Sequence, residues 1–120
     1  TEVVLDDEVF GKPQDAQDAA RMLRRLSGRT HLVPSVVWCV SAGREERAVC
    51  VTQVRFVELS DERIAAYLAA NQWQGKAGAY AIQGRAEAFV AHLSGSYSGV
   101  MGLPLCETAE LLRRFAVAAA

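Results

Sequence analysis

Apolar positions change period several times along the chain, and each change predicts an element. Val3 to Leu5 and Val9-Phe10 flank Asp6-Asp7-Glu8, the pattern of two short strands around a tight turn. From Gln14 to Leu26, residues Ala16, Ala19, Ala20, Leu23 and Leu26 recur at helical spacing. Asp15 and Asp18 come early, Arg21, Arg24 and Arg25 late, and Ser27-Gly28 follows, so charge order and stop signal agree on an amphipathic helix. Two β-rich segments, His31 to Val40 and Ala48 to Leu59, are joined by Ser41 to Glu46, which predicts a hairpin. Pro34 has no N–H to give a ladder, so part of the first strand is expected at an edge or a bulge. Ser60 predicts the cap of a second helix, Asp61 to Ala70, with Ile64, Tyr67 and Leu68 as its buried stripe.

The glycine-rich stretch Gly75 to Gly84 is the most unusual segment. Glycines at this density belong where the backbone takes positive φ or another group comes near. Between Gly78 and Gly84 the residues alternate as in a strand, with Ala79, Ala81 and Gln83 on one face and Tyr80 and Ile82 on the other. The first face would form a shallow shelf ending in a carboxamide, a seat for a planar polar ligand. Ala88 to Leu93 fits a strand or a short helix, and the polar run Ser94 to Gly99 right after it favours strand. Glu107 to Ala118 predicts a closing helix with Leu111, Leu112 and Phe115 inward. The order of hairpins and helices indicates an α/β domain, a mixed twisted sheet flanked by helices.

Composition narrows the classes. The chain has 120 residues, 51% of them hydrophobic, enough for one domain with a real core. A formal net charge of −1 excludes the basic footprint of a general nucleic-acid binder. Neither a membrane-length apolar run nor a signal-peptide pattern is present, so a soluble, cytoplasmic protein is expected. Cys39, Cys50 and Cys106 are odd in number and widely spaced, which predicts buried, reduced thiols rather than a disulfide framework or a metal site. The chain opens abruptly at Thr1-Glu2-Val3-Val4-Leu5 without Met, and an amino-terminal part is expected to precede it.

Several residues could carry chemistry. Pro13 holds Lys12 extended and aims its ammonium away from the chain, which suits a phosphate, although a solvated lysine before a helix has the same pattern. Lys76, in the glycine-rich loop, is a similar candidate. Asp6-Asp7-Glu8 could bind a hard cation, but three consecutive turn residues point apart and solvent is the expected place for them. His31 and His92 lack a second ligand at metal spacing and are expected to be satisfied structural histidines. Ser94-Gly95-Ser96-Tyr97-Ser98 fits a phosphate loop and a self-bonded turn equally well. No serine or cysteine has a recognisable base, so a covalent nucleophile is unsupported. Trp73 is expected to cover the sheet rather than stack on a ligand.

Taken in order, Gly11-Lys12-Pro13, Leu26-Ser27-Gly28-Arg29-Thr30-His31, Gly75 to Gly84, and Gly95-Ser96-Tyr97-Ser98 to Gly102-Leu103-Pro104-Leu105-Cys106-Glu107-Thr108 resemble the Maf family of nucleoside triphosphate pyrophosphatases. The resemblance implies an α/β fold of the inosine triphosphate pyrophosphatase type, with the ligand in a cleft between two lobes. It makes residues 1–120 one Maf-like domain, the carboxy-terminal two thirds of a family member. It implies hydrolysis of a nucleoside triphosphate to monophosphate and pyrophosphate, a divalent metal such as Mg²⁺ or Mn²⁺, and a homodimer. Thr1 matches the threonine of the family's Ala-Asp-Thr motif, which puts the catalytic aspartate immediately before Thr1 and leaves no catalytic residue in this chain. Lys12 matches a phosphate-contacting lysine, while Thr1 and Gln83 match positions tied to substrate choice. Ala-Tyr-Ala-Ile-Gln resembles the branch that prefers dTTP and UTP, and a carboxamide can pair with the imide N–H and a carbonyl of thymine or uracil. Pro34-Ser35-Val36 and Gln72 depart from the usual pattern, which has threonine and glycine near that strand and an acidic residue before the tryptophan. The rival implied by the same family is a noncatalytic nucleotide-binding or regulatory module linked to septum inhibition.

Overall fold

Alternating burial along two long strands organises the chain. The computed structural model describes residues 2–119, with side chains described through Phe115. Strands β1 (Val3–Leu5) and β2 (Glu8–Phe10) precede helix α1 (Ala16–Leu26). Then come β3 (Thr30–Ser41), β4 (Arg44–Phe56) and α2 (Asp61–Ala69). Two 3₁₀ turns, Ala77–Ala79 and Arg85–Phe89, lead to β5 (Val90–Ser94), the short α3 (Tyr97–Met101) and α4 (Leu105–Ala119). The described strands form one sheet in the order β2-β1-β3-β4-β5, and each neighbouring pair is antiparallel.

The β3–β4 ladder runs unbroken from Thr30↔Arg55 to Ser41↔Arg44. Its turn is therefore only Ala42-Gly43, shorter than the Ser41 to Glu46 connection expected, because Arg44 to Arg47 continue the strand alternation with polar side chains. Arg44 and Glu46 also pair with each other at 3.2 Å. Pro34 stays inside β3, opposite Val51. Its carbonyl accepts from the Glu2 N–H at 3.3 Å. In an antiparallel strand a residue's N and O face the same side, so the missing N–H faces the outer edge beside β1 and removes no β3–β4 bond.

The inward face of the hairpin carries His31, Val33, Ser35, Thr52 and Val54, all buried. Over it pack Leu23 and Leu26 of α1 and Ile64 and Tyr67 of α2, in one core cluster with Phe10, Phe56 and Phe89. Each such side chain, fully buried, contributes roughly 1.5–3 kcal/mol. The outward face bears Leu32, Val36, Trp38, Val40, Val49 and Val51, all exposed.

Ser60 caps α2 as expected, accepting from the Arg63 N–H at 3.2 Å, whereas Asp15, expected inside the first turn, stands before α1 as its cap and accepts from the Asp18 N–H at 2.8 Å. Asn71, at φ 57, lies just beyond the end of α2, and its N–H donates to the Leu68 carbonyl. Three expectations need correction. Gly78 to Gly84 is no strand but a succession of turns. Ala88 to Leu93 divides at Phe89, a 3₁₀ turn before it and β5 after. The closing helix begins at Leu105, and although Leu111 is buried, Leu112 is 57% exposed.

Candidate functional site

Two lysines far apart in sequence meet at one cavity. It measures about 220 Å³ and is lined by Val3, Val33, Lys12, Lys76, Tyr80 and Met101, among others. Lys12 arrives on the segment leaving β2, Lys76 on the glycine-rich turn, and Met101 from the end of α3. An adjoining cavity of about 50 Å³ shares Lys76, Tyr80 and Met101 and adds Gln83. A closed pocket for a whole drug-sized ligand takes roughly 300 Å³ or more, so these spaces suit part of a nucleotide at a time. A cavity of about 260 Å³ between β4 and α4, lined by Arg47, Cys106, Glu107, Glu110 and Arg114, contains none of the expected site residues.

The glycine-rich turn is docked rather than free. Gly78 has φ 71, and a Cβ there would stand 3.0 Å from Val3 Cγ2, so glycine is needed twice over. Its N–H donates to the Gly11 carbonyl at 3.1 Å, joining the turn to the residue before Lys12. Ala79 also takes positive φ, 68°, and its N–H donates to the Lys76 carbonyl at 3.0 Å. The Ala81 N–H donates to the Tyr67 hydroxyl at 3.1 Å, and the Arg85 N–H to Gln72 Oε1 at 2.8 Å. Gln72, which departs from the family pattern, thus accepts a backbone bond where the turn ends. The expected alternation survives in Tyr80 and Ile82, both buried, and in exposed Gln83. The shelf does not, because Ala79 is 0% exposed: left-handed backbone at Gly78 and Ala79 turns its methyl into the core.

Beneath the turn, Tyr80 OH and His31 Nε2 lie 2.7 Å apart in the core. The two rings and that of Phe56 meet edge to face, with centroids 4.9–5.5 Å apart. Burial pushes the His31 pKa down to about 4 and the Tyr80 phenol upward, the latter reinforced by Tyr67. Both groups are neutral across the physiological range. His31 Nδ1 is buried without a hydrogen-bond partner, so the expectation of a fully satisfied histidine holds for only one ring nitrogen. His92 is exposed, not a core residue.

The other candidates disperse. Thr1 lies outside the described residues. Asp6 pairs with Arg29 at 2.9 Å, and Glu8 with Arg21 and Arg25 at 3.3 and 2.7 Å. Among the described residues no group of three or more His, Cys, Asp or Glu side chains is placed to hold a metal ion. In the serine loop, Ser96 Oγ accepts from the Gly99 N–H and Ser98 Oγ from the Leu105 N–H, both at 2.9 Å, which favours the self-bonded turn. Ser35, buried beneath α3, donates to the Gly99 carbonyl at 2.6 Å. Trp73 belongs to the core cluster and donates to the Leu68 carbonyl at 3.1 Å, in keeping with a covering role. The three thiols are free, but only Cys50 is buried; Cys39 is half-buried and Cys106 exposed. No described helix is long and apolar enough to cross a membrane.

Sequence reasoning placed Tyr80 in a core without seeing that it also lines both cavities, and it missed Met101. The available signal for Tyr80 was its position midway between Lys76 and Gln83.

Comparison with known proteins gives the family. The family model described as Maf-like protein matches residues 1–115. A dTTP/UTP pyrophosphatase of Xanthomonas axonopodis pv. citri (strain 306) is 61% identical over 116 residues, covering 96% of this chain and 61% of that protein. One from Ralstonia nicotianae is 58% identical over 118 residues, covering 98% of this chain and 57% of that protein. One from Methylococcus capsulatus is 57% identical over all 120 residues, covering 59% of that protein. The chain therefore spans about three fifths of the length of the curated relatives it matches. A match over nearly the whole chain, together with an α/β sheet flanked by helices, leaves a plain conclusion: this chain belongs to the Maf family.

Proposed function

We propose that this chain is the phosphate- and base-reading part of a nucleoside triphosphate pyrophosphatase acting on dTTP, UTP or modified pyrimidine nucleotides, a hydrolase that cleans the nucleotide pool. The single observation that carries the reading is the convergence of Lys12 and Lys76 on one cavity, with Gln83 on the space adjoining it. The family and the printed names of the relatives support the same reaction.

Water attacks the α-phosphorus, a new P–O bond forms, and the bond to the bridging oxygen breaks with its electron pair leaving on pyrophosphate. Two ammonium groups aimed at the β- and γ-phosphates are stronger partners for that departing charge than for the ground state, which is how they would lower the barrier. Gln83 offers one acceptor and two donors to a pyrimidine edge, and a mismatched base would leave those groups unpaired. The carboxylate that positions the water is proposed at the position immediately before Thr1.

Mg²⁺ or Mn²⁺ belongs to the proposal as an ion carried by the triphosphate, not one held by a side-chain cluster of the described residues. Cytoplasmic action is part of the proposal. A homodimer is proposed on the outward face of β3–β4, where Leu32, Val36, Trp38, Val40, Val49 and Val51 form an exposed apolar stripe. Glu45 and Arg47 follow each other on that same face, so a second copy turned about a twofold axis can set unlike charges opposite one another.

The test is pyrophosphate release from a panel of nucleoside triphosphates with Mg²⁺, using the complete gene product. Turnover confined to dTTP, UTP and their analogues, weakened by Lys12→Ala and broadened or lost with Gln83→Ala, is the expected result. A folded protein that binds these triphosphates without hydrolysing any would replace the enzyme with a regulatory module.

A further inference from the structure

The turn that presents Lys76 and Gln83 holds two consecutive residues, Gly78 and Ala79, in left-handed backbone. Alanine does not choose this conformation, and such strain persists only where surrounding contacts over-determine it. Four contacts do so. Gly78 N–H reaches the Gly11 carbonyl, Ala79 N–H the Lys76 carbonyl, Ala81 N–H the Tyr67 hydroxyl, and between them the Tyr80 side chain descends to His31. Only the last reaches the central strand β3.

We propose that the His31–Tyr80 hydrogen bond is the buried anchor that holds the Lys76–Gln83 turn at the cavity, making His31 a positioning residue for nucleotide binding. This rests on the function proposed above for the role it serves, but the anchoring itself does not. His31 is 1% exposed on β3 and touches neither cavity, whereas Tyr80 lines both. Lys76 and Gln83 lie four residues before and three after Tyr80, so one fixed hydroxyl sets the middle of the segment that carries them.

A neutral imidazole carries one N–H, so the bond runs from His31 Nε2–H to the Tyr80 oxygen or from the Tyr80 hydroxyl to Nε2, according to the tautomer. Either direction joins the same two atoms at 2.7 Å and leaves Nδ1 without a partner.

The experiment uses the complete gene product and three variants: Tyr80→Phe, His31→Phe and His31→Gln, the last keeping an amide nitrogen able to reach the same oxygen. Amide exchange at Gly78, Ala79, Ala81 and Gly84 is compared with that of α1, and KM and kcat for UTP are read alongside. Expected for both Phe variants are exchange at least tenfold faster in the turn with α1 unchanged, and a kcat/KM for UTP lowered about fivefold or more. His31→Gln should restore both. Turn exchange that stays at the wild-type rate, or rises only in step with α1, overturns the proposal. Should the wild type turn over no triphosphate, the proposed function falls while the exchange comparison still decides the anchor.

Discussion

The Gly78 amide donates to the Gly11 carbonyl at 3.1 Å, and through this bond the segments bearing Lys12 and Lys76 become neighbours. Sixty-odd residues separate them in the chain, yet the bond leaves both lysines on the wall of one cavity. A side chain at this position is strained, because its φ is 71 and a Cβ would stand only 3.0–3.2 Å from the Val3 side chain.

Gly78→Ala is accordingly expected to destabilise by about 1–3 kcal/mol, combining left-handed strain with the collision at Val3. Gly75 provides the control. It too has φ 71, but a Cβ there meets nothing within 4 Å, so Gly75→Ala carries the conformational part alone. Denaturant midpoints of the two variants separate the terms, with Gly78→Ala the lower.

Lys12 and Lys76 are both exposed and share a cavity, and the described residues supply no ion pair to either. Their charges are left for a ligand. Removing either should weaken binding of inorganic pyrophosphate to the complete protein by roughly tenfold, about 1.4 kcal/mol. Raising salt from 50 to 500 mM should shrink the difference between wild type and the single variants, since exposed charges are screened. Titration calorimetry at the two salt concentrations reads both effects.

The hairpin, α1 and α2 were legible because their signals are strong and local. Asp15 and Ser60 cap as their residue types demand, and β3–β4 shows a period of two over a dozen residues on each strand. Gly78 to Gly84 misled for a physical reason: consecutive positive φ at Gly78 and Ala79 reverses which way a side chain points, so alternation in sequence ceases to mean alternation in space. Arg44 to Glu46 read as a loop for their polarity, when one sheet face there is exposed anyway and the other meets α4. Of the site, the separate lysines and Gln83 could be named from sequence. Their meeting, and the descent of Tyr80 to His31, depend on contacts between residues dozens apart, which no local pattern encodes.

Stability should fall as pH drops from about 6.5 toward 4. Burial holds the His31 pKa at about 4, and its hydrogen-bonded neighbour is the neutral Tyr80 hydroxyl. Between these values the unfolded chain binds a proton that the folded one refuses, so stability rises with pH through the window and levels off above it. Two and a half pH units amount to roughly 3 kcal/mol. Glu110, held down to about 2 chiefly by its hydrogen bond from Arg113, adds a slope of the same sign below about pH 5, where its unfolded carboxylate takes up a proton and the folded one stays ionised. His31→Phe should flatten the dependence, leaving Tyr80 without its partner at every pH. Urea midpoints at pH 4.5 and 7 for wild type and variant check the sign.

Trp38 stands 55% exposed on the outward face of β3, between Val36 and Val40, which are also exposed. The Arg47 guanidinium lies 5.5 Å from its ring centroid, a contact that lowers the exposure of one face without burying the stripe. A stable interface needs roughly 800 Å² per partner, and a row of half-exposed apolar side chains along two strands is the surface available to supply it. Trp38→Glu places a carboxylate at the centre of the stripe, where pairing with a second copy would bury two of them facing one another. The complete protein is therefore expected to run as a dimer by light scattering at tens of micromolar, and Trp38→Glu as a monomer with an unchanged thermal midpoint of the monomeric fold. Leu112→Glu, a comparable charge on exposed α4, should leave the dimer intact. A wild type that is monomeric at that concentration, or a Trp38→Glu protein that stays dimeric, would remove this face as the site of pairing.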